Sequence, residues 1–367
     1  MPAGLPCFLA WLLLAPFACG AGVPTVTLGI VAPPSEPDAT SLLRGAQLAV
    51  AEANEAGQPP VGLEVRSEDG QWGSAGNDAV MLVSERHVDA ILSPSDGDTS
   101  HLILQVSGRT QIPVASLCPD SSVTAAGVIW AICVVPRTDR EVEALFAAAR
   151  QPGSSPPQWW AVVPAGRRGR AVRRDLGKAA RATSTHLDRV VEDGDSKTDF
   201  TALVHGIAAG APDGVLLWLP PSRAGAMVAA LRAAGYGGLV AGPAPLDSPS
   251  FFAGAGGAAD GVLVTNFRTD APSRVRAETF ERRFQERYDA KPDFSAAAAH
   301  DAAWVLIEAL RRAGKAAGER QFPLALPTEG VTGVLHFDSS GNRTDVLEVL
   351  TCREGRFVSL SSAERRP

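Results

Sequence analysis

Residues 93–102 read SPSDGDTSHL and follow the apolar run VDAIL. The pattern predicts a strand that ends here, a turn through Gly97, and a helix that begins at Thr99 or Ser100. Unpaired N–H groups and the macrodipole make a helix N-terminus an anion site, yet Asp96 and Asp98 occupy the mouth of this one. Capping by Asp98 or Thr99 is the ordinary structural use of such residues. A second loop with hydroxyls and an acid, SLCPDSS, carries Ser116, Asp120 and Ser121. The one basic cluster is GRRGRAVRR (166–174). Within it Arg170, Arg173 and Arg174 follow helical spacing and read as a solvated helix start. Arg167 and Arg168 sit in the turn before it, where a guanidinium fork suits an anionic group.

No arrangement for catalysis accompanies these residues. The six histidines fall at 87, 101, 186, 205, 300 and 336, without the spacing of a metalloprotease helix. There is no GxSxG elbow, no Walker A loop and no paired CxxC. His101 stands just inside the mouth helix, where it could counter Asp98. We therefore expect a protein that is not an enzyme, with no metal and no cofactor.

The elements that must position these loops alternate along the chain. TVTLGIV (25–31) precedes a helical segment in which Leu42, Leu43, Ala46, Val50 and Ala53 recur at helical spacing. VGLEVRSED, VDAILS, PVASLC and IWAICVV continue the strands, with helices near 74–87 and 99–109. TDREVEALFAAAR is helical, with Thr138 as the expected N-cap. QWWAVVP opens a second series of the same rhythm through DRVVE, GVLLWLP, LVAGP and GVLVTNF. Strands alternating with helices mean parallel sheets covered on both faces, and two such series mean two α/β lobes. The tail differs: two helices over 273–289 and 295–314, then short strands in GVTGVLHFD, DVLEVLTCR and GRFVSL.

Bulk properties narrow the class. The chain has 367 residues, a formal charge of −6 and 45% hydrophobic residues, enough for two cores. The acidic balance argues against a nucleic-acid partner. MPAGLPCFLAWLLLAPFACGAG (1–22) has no charged side chain, an apolar core too short to span a bilayer, and small residues after it. It reads as a secretory signal peptide, which places the mature protein in the periplasm, with lipid anchoring through Cys19 as the alternative. Export permits disulfides. Cys118 and Cys133 close neighbouring strand-like runs, so a Cys118–Cys133 bridge is expected, with two buried free thiols as the alternative.

In order along the chain, VTLGIVAPPS, RGAQLAVAEANEAGQPPVGLEVRSED, VDAILSPS, HDAAWVLIEAL (300–310) and GVTGVLHFDSSGNRTD (330–345) resemble the type I periplasmic binding proteins, leucine/isoleucine/valine-binding branch. In the HDAAW segment His300 stands where the family usually has Tyr, either as a cleft contact or as a satisfied helix-start histidine. The resemblance covers residues 24–360. It implies two doubly wound α/β lobes joined by a three-crossing hinge: lobe 1 over 24–138 plus 266–345, and lobe 2 over 139–265 plus 346–367. It also implies a receptor for an ABC importer that is monomeric, takes a small-molecule ligand between the lobes and docks on an ABC permease. A ligand-sensing module of the same fold, serving a receptor or a quinoprotein alcohol oxidation system, is the alternative.

Mapped onto this sequence, the resemblance puts the ligand's lobe-1 contacts at Ser93, Ser95, Gly97 and Thr99, with Ser116 and Asp120 on the same rim. Asp96 completes that loop. The lobe-2 wall falls at Arg167, Trp218 and Pro220. The family's carboxylate for an amino-acid ammonium falls at Ala244, where it is missing. The scaffold is therefore expected without its amino-acid recognition set, and Asp96 and Asp98 are expected to face Arg167 and Arg168 across the cleft or to bind a cationic ligand directly.

Overall fold

The computed structural model describes residues 26–32, 38–56, 60–66, 74–150, 157–194, 199–313 and 327–360. The expected signal peptide over 1–22, with Cys7 and Cys19, lies outside the described residues. The first half alternates strand and helix: β1 (Val26–Val31), α1 (Ala39–Glu55), β2 (Val61–Arg66), α2 (Ser74–Ser84), β3 (Ala90–Ser93), α3 (Gly97–Thr110), β4 (Val114–Ser116), α4 (Ser121–Ala125) and β5 (Ala131–Cys133). These strands form one parallel sheet in the order β2-β1-β3-β4-β5.

A second series follows: α5 (Thr138–Ala149), β6 (Gln158–Pro164), α6 (Gly166–Thr183), β7 (His186–Asp193), α7 (Thr201–Gly210), β8 (Gly214–Leu217), α8 (Pro221–Ala233), β9 (Leu239–Gly242), α9 (Pro249–Ala255) and β10 (Leu263–Phe267). After α10 (Ala271–Tyr288), α11 (Phe294–Ala313) and the small ladder of β11 (Thr328–Gly330) with β12 (Gly333–Leu335), the chain ends in β13 (Leu347–Arg353) and β14 (Arg356–Ser359). The second sheet runs β14-β13-β10-β9-β8-β6-β7; β13 pairs antiparallel with both β10 and β14, and the other pairs are parallel.

Side-chain alternation explains why both sheets are covered twice. Leu28, Ile30, Leu92 and Ala115 point to a core shared with α1 and α11. Their neighbours Val31, Ile91 and Val114 point to the other face, against α2 and α3. In the second sheet Val162, Val215 and Val240 face α8 and α9, while Trp159, Ala161, Leu216 and Ala241 face α5 and α6. With period two and both faces apolar, each strand needs helices on either side.

α1 and α11 pack so closely that a Cβ on Gly45 would lie 2.0 Å from the Ala296 carbonyl oxygen. His300 is buried in this helix layer, its Nε2 3.0 Å from Glu52 and its Nδ1 3.6 Å from Asp301. Burial opposes its charge, but hydrogen bonds and charge from Asp301 and Glu52 win, and its pKa is pushed up to about 9. It is thus a buried helix-layer histidine held through Nε2 by Glu52 and absent from the cavity lining, so the reading as a cleft contact is corrected.

The chain passes between the sheets after β5, after β10 and before β13. One side chain ties all three passages. Arg343 bonds Asp345 (2.6 Å), the Val134 carbonyl (3.3 Å) and Thr332 (2.7 Å to Oγ1, 3.1 Å to its carbonyl). Its guanidinium carbon also lies 3.5 Å from the centre of the Phe267 ring. Asp301 accepts from the Val331 and Thr332 N–H groups at 2.7 and 2.9 Å. The GVTGVLHFDSSGNRTD segment is therefore the joint between the lobes. Arg343→Ala should cost about 3–5 kcal/mol, because it strands buried partners of a charge. Urea unfolding checks this, and a change within about 0.5 kcal/mol would contradict it.

Candidate functional site

A cavity of about 380 Å³ lies between the two sheets. Its wall includes Ser95, Leu117, Val135, Leu219 and Pro243, each one to two residues beyond the end of β3, β4, β5, β8 or β9, and Pro164, the last residue of β6. Open α/β sheets place ligands beyond the C-terminal ends of their strands, and here both sheets do so on one space. Its volume falls in the range of small-molecule sites.

The opening loop is built as follows. Asp96 has extended backbone (φ −79, ψ 130) and caps α3 by accepting from the Thr99 N–H at 2.8 Å. The cap is Asp96, one of the mouth acids, rather than Asp98 or Thr99, and the helix starts at Gly97. A Cβ on Gly97 would stand 3.4 Å from Asp120 Oδ2 and 3.8 Å from Cys118 Sγ, so the glycine lets the β3–α3 and β4–α4 loops close together. Ser95 donates to Asp38 at 3.1 Å, and Ser295 donates to the other Asp38 oxygen at 3.2 Å. Burial raises the Asp38 pKa, against those hydrogen bonds and the Arg168 charge.

Across the gap, Gly166 enters α6 at φ +77, a conformation natural to glycine. A Cβ on Gly169 would meet the Pro164 carbonyl oxygen at 1.7 Å. These two glycines seat the first turn of α6 on the end of β6 and turn its arginines toward α3. Arg167 lies 3.3 Å from Asp98 and Arg168 3.6 Å from Asp96. Arg174 is a solvated helix residue, as its spacing implied, and also bonds both Asp120 and Asp175, which makes it part of the lobe contact. Arg173 pairs with Glu192 instead. Asp175, 1% exposed, accepts from the Ser121 N–H (3.1 Å) and Oγ (2.7 Å). His101 bonds Ser122, not Asp98.

Ser95, Asp96, Gly97, Asp120, Arg167, Trp218 and Pro220 line the cavity; Ser93, Thr99, Ser116 and Ala244 do not. Ser93 is buried against Ser100 at 2.8 Å. The Ser116 hydroxyl turns inward to accept from the Cys118 N–H. The Thr99 N–H is occupied by the Asp96 cap. The Ala244 N–H donates to Glu141 Oε1 at 2.8 Å, and Thr265 donates to the same oxygen at 2.7 Å. Glu141 lines the cavity and is 2% exposed. Burial pushes its pKa up to about 7, against those two hydrogen bonds.

Asp38, Glu141 and Asp175 are wall residues that sequence reasoning missed. Two left a signal. Glu141 shares the apolar face of α5 with Val142, Leu145 and Phe146, and Asp175 shares that of α6 with Leu176 and Ala179. An acid on an apolar helical stripe marks a buried site. Thr138 is the first residue of α5 and does not cap it through its side chain.

The expected Cys118–Cys133 bridge is absent: both are buried free thiols, as is Cys352. Cys133 Sγ lies 3.3 Å from the Cys118 carbonyl oxygen and 3.4 Å from that of Val135, and donates to both. Cys118 instead faces the cavity beside Gly97. The thiol of one is directed at backbone and that of the other at the cleft. Burial pushes the Cys133 pKa up to about 12 and the Cys118 pKa higher still, so neither is a ready thiolate.

The family described as periplasmic binding protein matches residues 25–345. The chain belongs to the periplasmic binding proteins. No curated protein sequence matches it. Solved structures of this fold include the branched-chain amino acid transporter substrate-binding protein of Streptococcus pneumoniae in complex with isoleucine. It is 18% identical, with 90% of this chain and 97% of that one covered, and a TM-score of 0.78. An ABC transporter solute-binding protein of R. palustris in complex with benzoate is 16% identical, with 92% and 95% covered, at 0.78. A substrate-binding protein of Desulfitobacterium hafniense in complex with Leu is 20% identical, with 91% and 99% covered, at 0.71. This periplasmic binding protein keeps the two-lobed scaffold, and among its described residues no helix is long and apolar enough to cross a membrane.

Two measurements follow from this geometry. Arg168 and Asp96 are 39% and 21% exposed, and Arg167 and Asp98 more so. Each pair should therefore contribute only about 0–1 kcal/mol. A double-mutant cycle of Asp96→Asn with Arg168→Ala on ligand affinity should show coupling of about 0.5–1 kcal/mol, shrinking as salt rises; strict additivity would mean that this pair does not act across the cleft. Thiol titration of denatured, unreduced protein should count Cys118, Cys133 and Cys352 as free, and a count lower by two would restore the bridge.

Proposed function

We propose that this protein is the extracytoplasmic substrate-binding component of an ABC importer, monomeric and exported by the segment over 1–22. In this reading it encloses a small organic ligand with an apolar or aromatic body and delivers it to a permease in the inner membrane. The observation that carries the reading is the cavity bordered by strand ends of both sheets and bridged by ion pairs between α6 and α3. A ligand there would be shared by both lobes, so binding would favour the closed arrangement over the open one by its differential contacts.

The character of the wall supports an apolar ligand. Leu42, Leu117, Val135, Val172, Trp218 and Phe294 contribute to it. Trp218 is 6% exposed and also belongs to the core beneath α5 and α6, so its ring is held rigidly at the cavity edge. A relative of the same fold holds benzoate, which fits an aromatic guest. Branched-chain amino acids are disfavoured, because the lobe-1 groups expected to take their carboxylate are engaged within the protein: the Thr99 N–H by Asp96, Ser93 by Ser100 and Ser116 by the Cys118 N–H.

Mass spectrometry of protein purified natively should find a small molecule that is not leucine, isoleucine or valine. Adding it at 100 times its Kd should raise stability by about 2.7 kcal/mol. Its binding should change the intrinsic fluorescence, and Trp218→Phe should remove most of that change. Micromolar calorimetric binding of a branched-chain amino acid would overturn the ligand class, and a cavity that takes no small molecule would overturn the function.

A further inference from the structure

The cavity wall holds a carboxylate that the protein leaves half unfinished. Glu141 Oε1 accepts from the Ala244 N–H and the Thr265 hydroxyl. Oε2 accepts no hydrogen bond among the described residues, yet it is not among the buried atoms sealed away without a partner. Glu141 lines the cavity, so that oxygen is open to whatever the cavity holds. A carboxylate this deeply buried without a cation is costly to keep ionised.

The charge of the wall is a second, separate observation. Asp96, Asp98, Asp120 and Asp175 each have an arginine partner from α6. Asp38, Asp293 and Glu141, all in the wall, form no ion pair among the described residues; Asp38 is satisfied by serine hydroxyls, with Arg168 acting on it only at longer range, and Asp293 by the Ser41 hydroxyl and the Ala296 N–H. A ligand carboxylate would add a like charge to a space whose unpaired groups are already acids. A ligand ammonium would supply the missing cation and up to three donors.

We propose that the ligand is an amine with an apolar body, and that Glu141 is its anchor, Oε2 accepting from the ligand's N⁺–H. This rests on the reading of the cleft as a ligand site and narrows its substrate class. The anchor is assembled by three segments, since α5 brings the carboxylate while Ala244 and Thr265 hold it from the loop after β9 and from β10. Binding is then linked to protons. Glu141 sits near pKa 7, and an ammonium favours its ionised form, so at neutral pH binding should release about half a proton. The elements packed against α5 carry Asp175, Lys178 and six arginines (Arg167, Arg168, Arg170, Arg173, Arg174 and Arg181) on α6, Glu348 and Arg353 on β13, and Asp247 after Ala244. None is among the influences on its pKa. Affinity should therefore rise between pH 6 and pH 8, by about tenfold.

The test uses the full chain with 2-phenylethylamine and n-pentylamine, each beside its matched alcohol and carboxylic acid. Thermal shift and calorimetry at pH 6 and pH 8, in two buffers of different ionisation enthalpy, read affinity and proton release. The amines should bind, the matched alcohols and acids should bind at least tenfold more weakly, and Glu141→Gln should remove both the preference and the proton release. Glutamine keeps an oxygen for Ala244 and Thr265, and the melting temperature of the ligand-free variant checks its fold. Asp38→Asn is a second variant, which should weaken the amines less. Equal or better binding of alcohols or acids overturns the amine assignment, as does failure of both amines to bind. A natively carried ligand without a basic nitrogen also overturns it, and leaves the importer reading standing.

Discussion

Parallel strands cannot be joined by hairpins, so each must return through a crossover, and every parallel strand of a lobe delivers its C-terminal end to the same edge of its sheet. The rest of this molecule follows from that constraint. The two parallel sheets present those edges to each other, and the residues just past β3, β4, β5, β6, β8 and β9 form one wall. The same arrangement points the N-termini of α3, α4 and α6 into the cleft. That is why capping acids, glycines and arginines gather there, far from one another in the chain.

The electrostatics of the cleft divide into two kinds by burial. The pairs of Arg167 and Arg168 with Asp98 and Asp96 are half in solvent and contribute little energy, but they select the arrangement in which the lobes meet. Asp175 is different. It is almost wholly buried and takes two hydrogen bonds from Ser121, and hydrogen bonds to charged groups are the stronger class, about 1.5–3 kcal/mol each. The contact that weighs most in holding α6 against the first lobe is thus a carboxylate and a serine, with the visible arginine cluster around it giving register.

The joint and the cleft are separate devices. Arg343 links the passages after β5, after β10 and before β13 through the Val134 carbonyl, the Phe267 ring and Asp345. It is 9% exposed, and its partners are mostly backbone and short side chains, so the joint has one well-defined packing. The contacts at the mouth are longer and wetter. Opening of the cleft would break the second set and leave the first intact, which is the behaviour expected of a hinge.

How much of this the sequence determined can be read from particular residues. The order of strands and helices and the two-lobed α/β class were legible, because each depends on local periodicity. That Asp96 and Asp98 would meet Arg167 and Arg168 was implied by the family resemblance, which places both loops at the cleft, and stood beside direct binding of a cationic ligand. The cavity's buried acids were not. Glu141 meets Ala244 and Thr265 across 103 and 124 residues, and Asp175 meets Ser121 across 54. Ser93 and Ser116 lie on the expected loops yet turn inward, and Cys118 and Cys133 lie on neighbouring strands yet point apart. Sequence pattern places a residue on an element and at an end of it. The direction of its side chain, and so its partner and its protonation, is set by packing against segments remote in the chain, and only the folded structure supplies those.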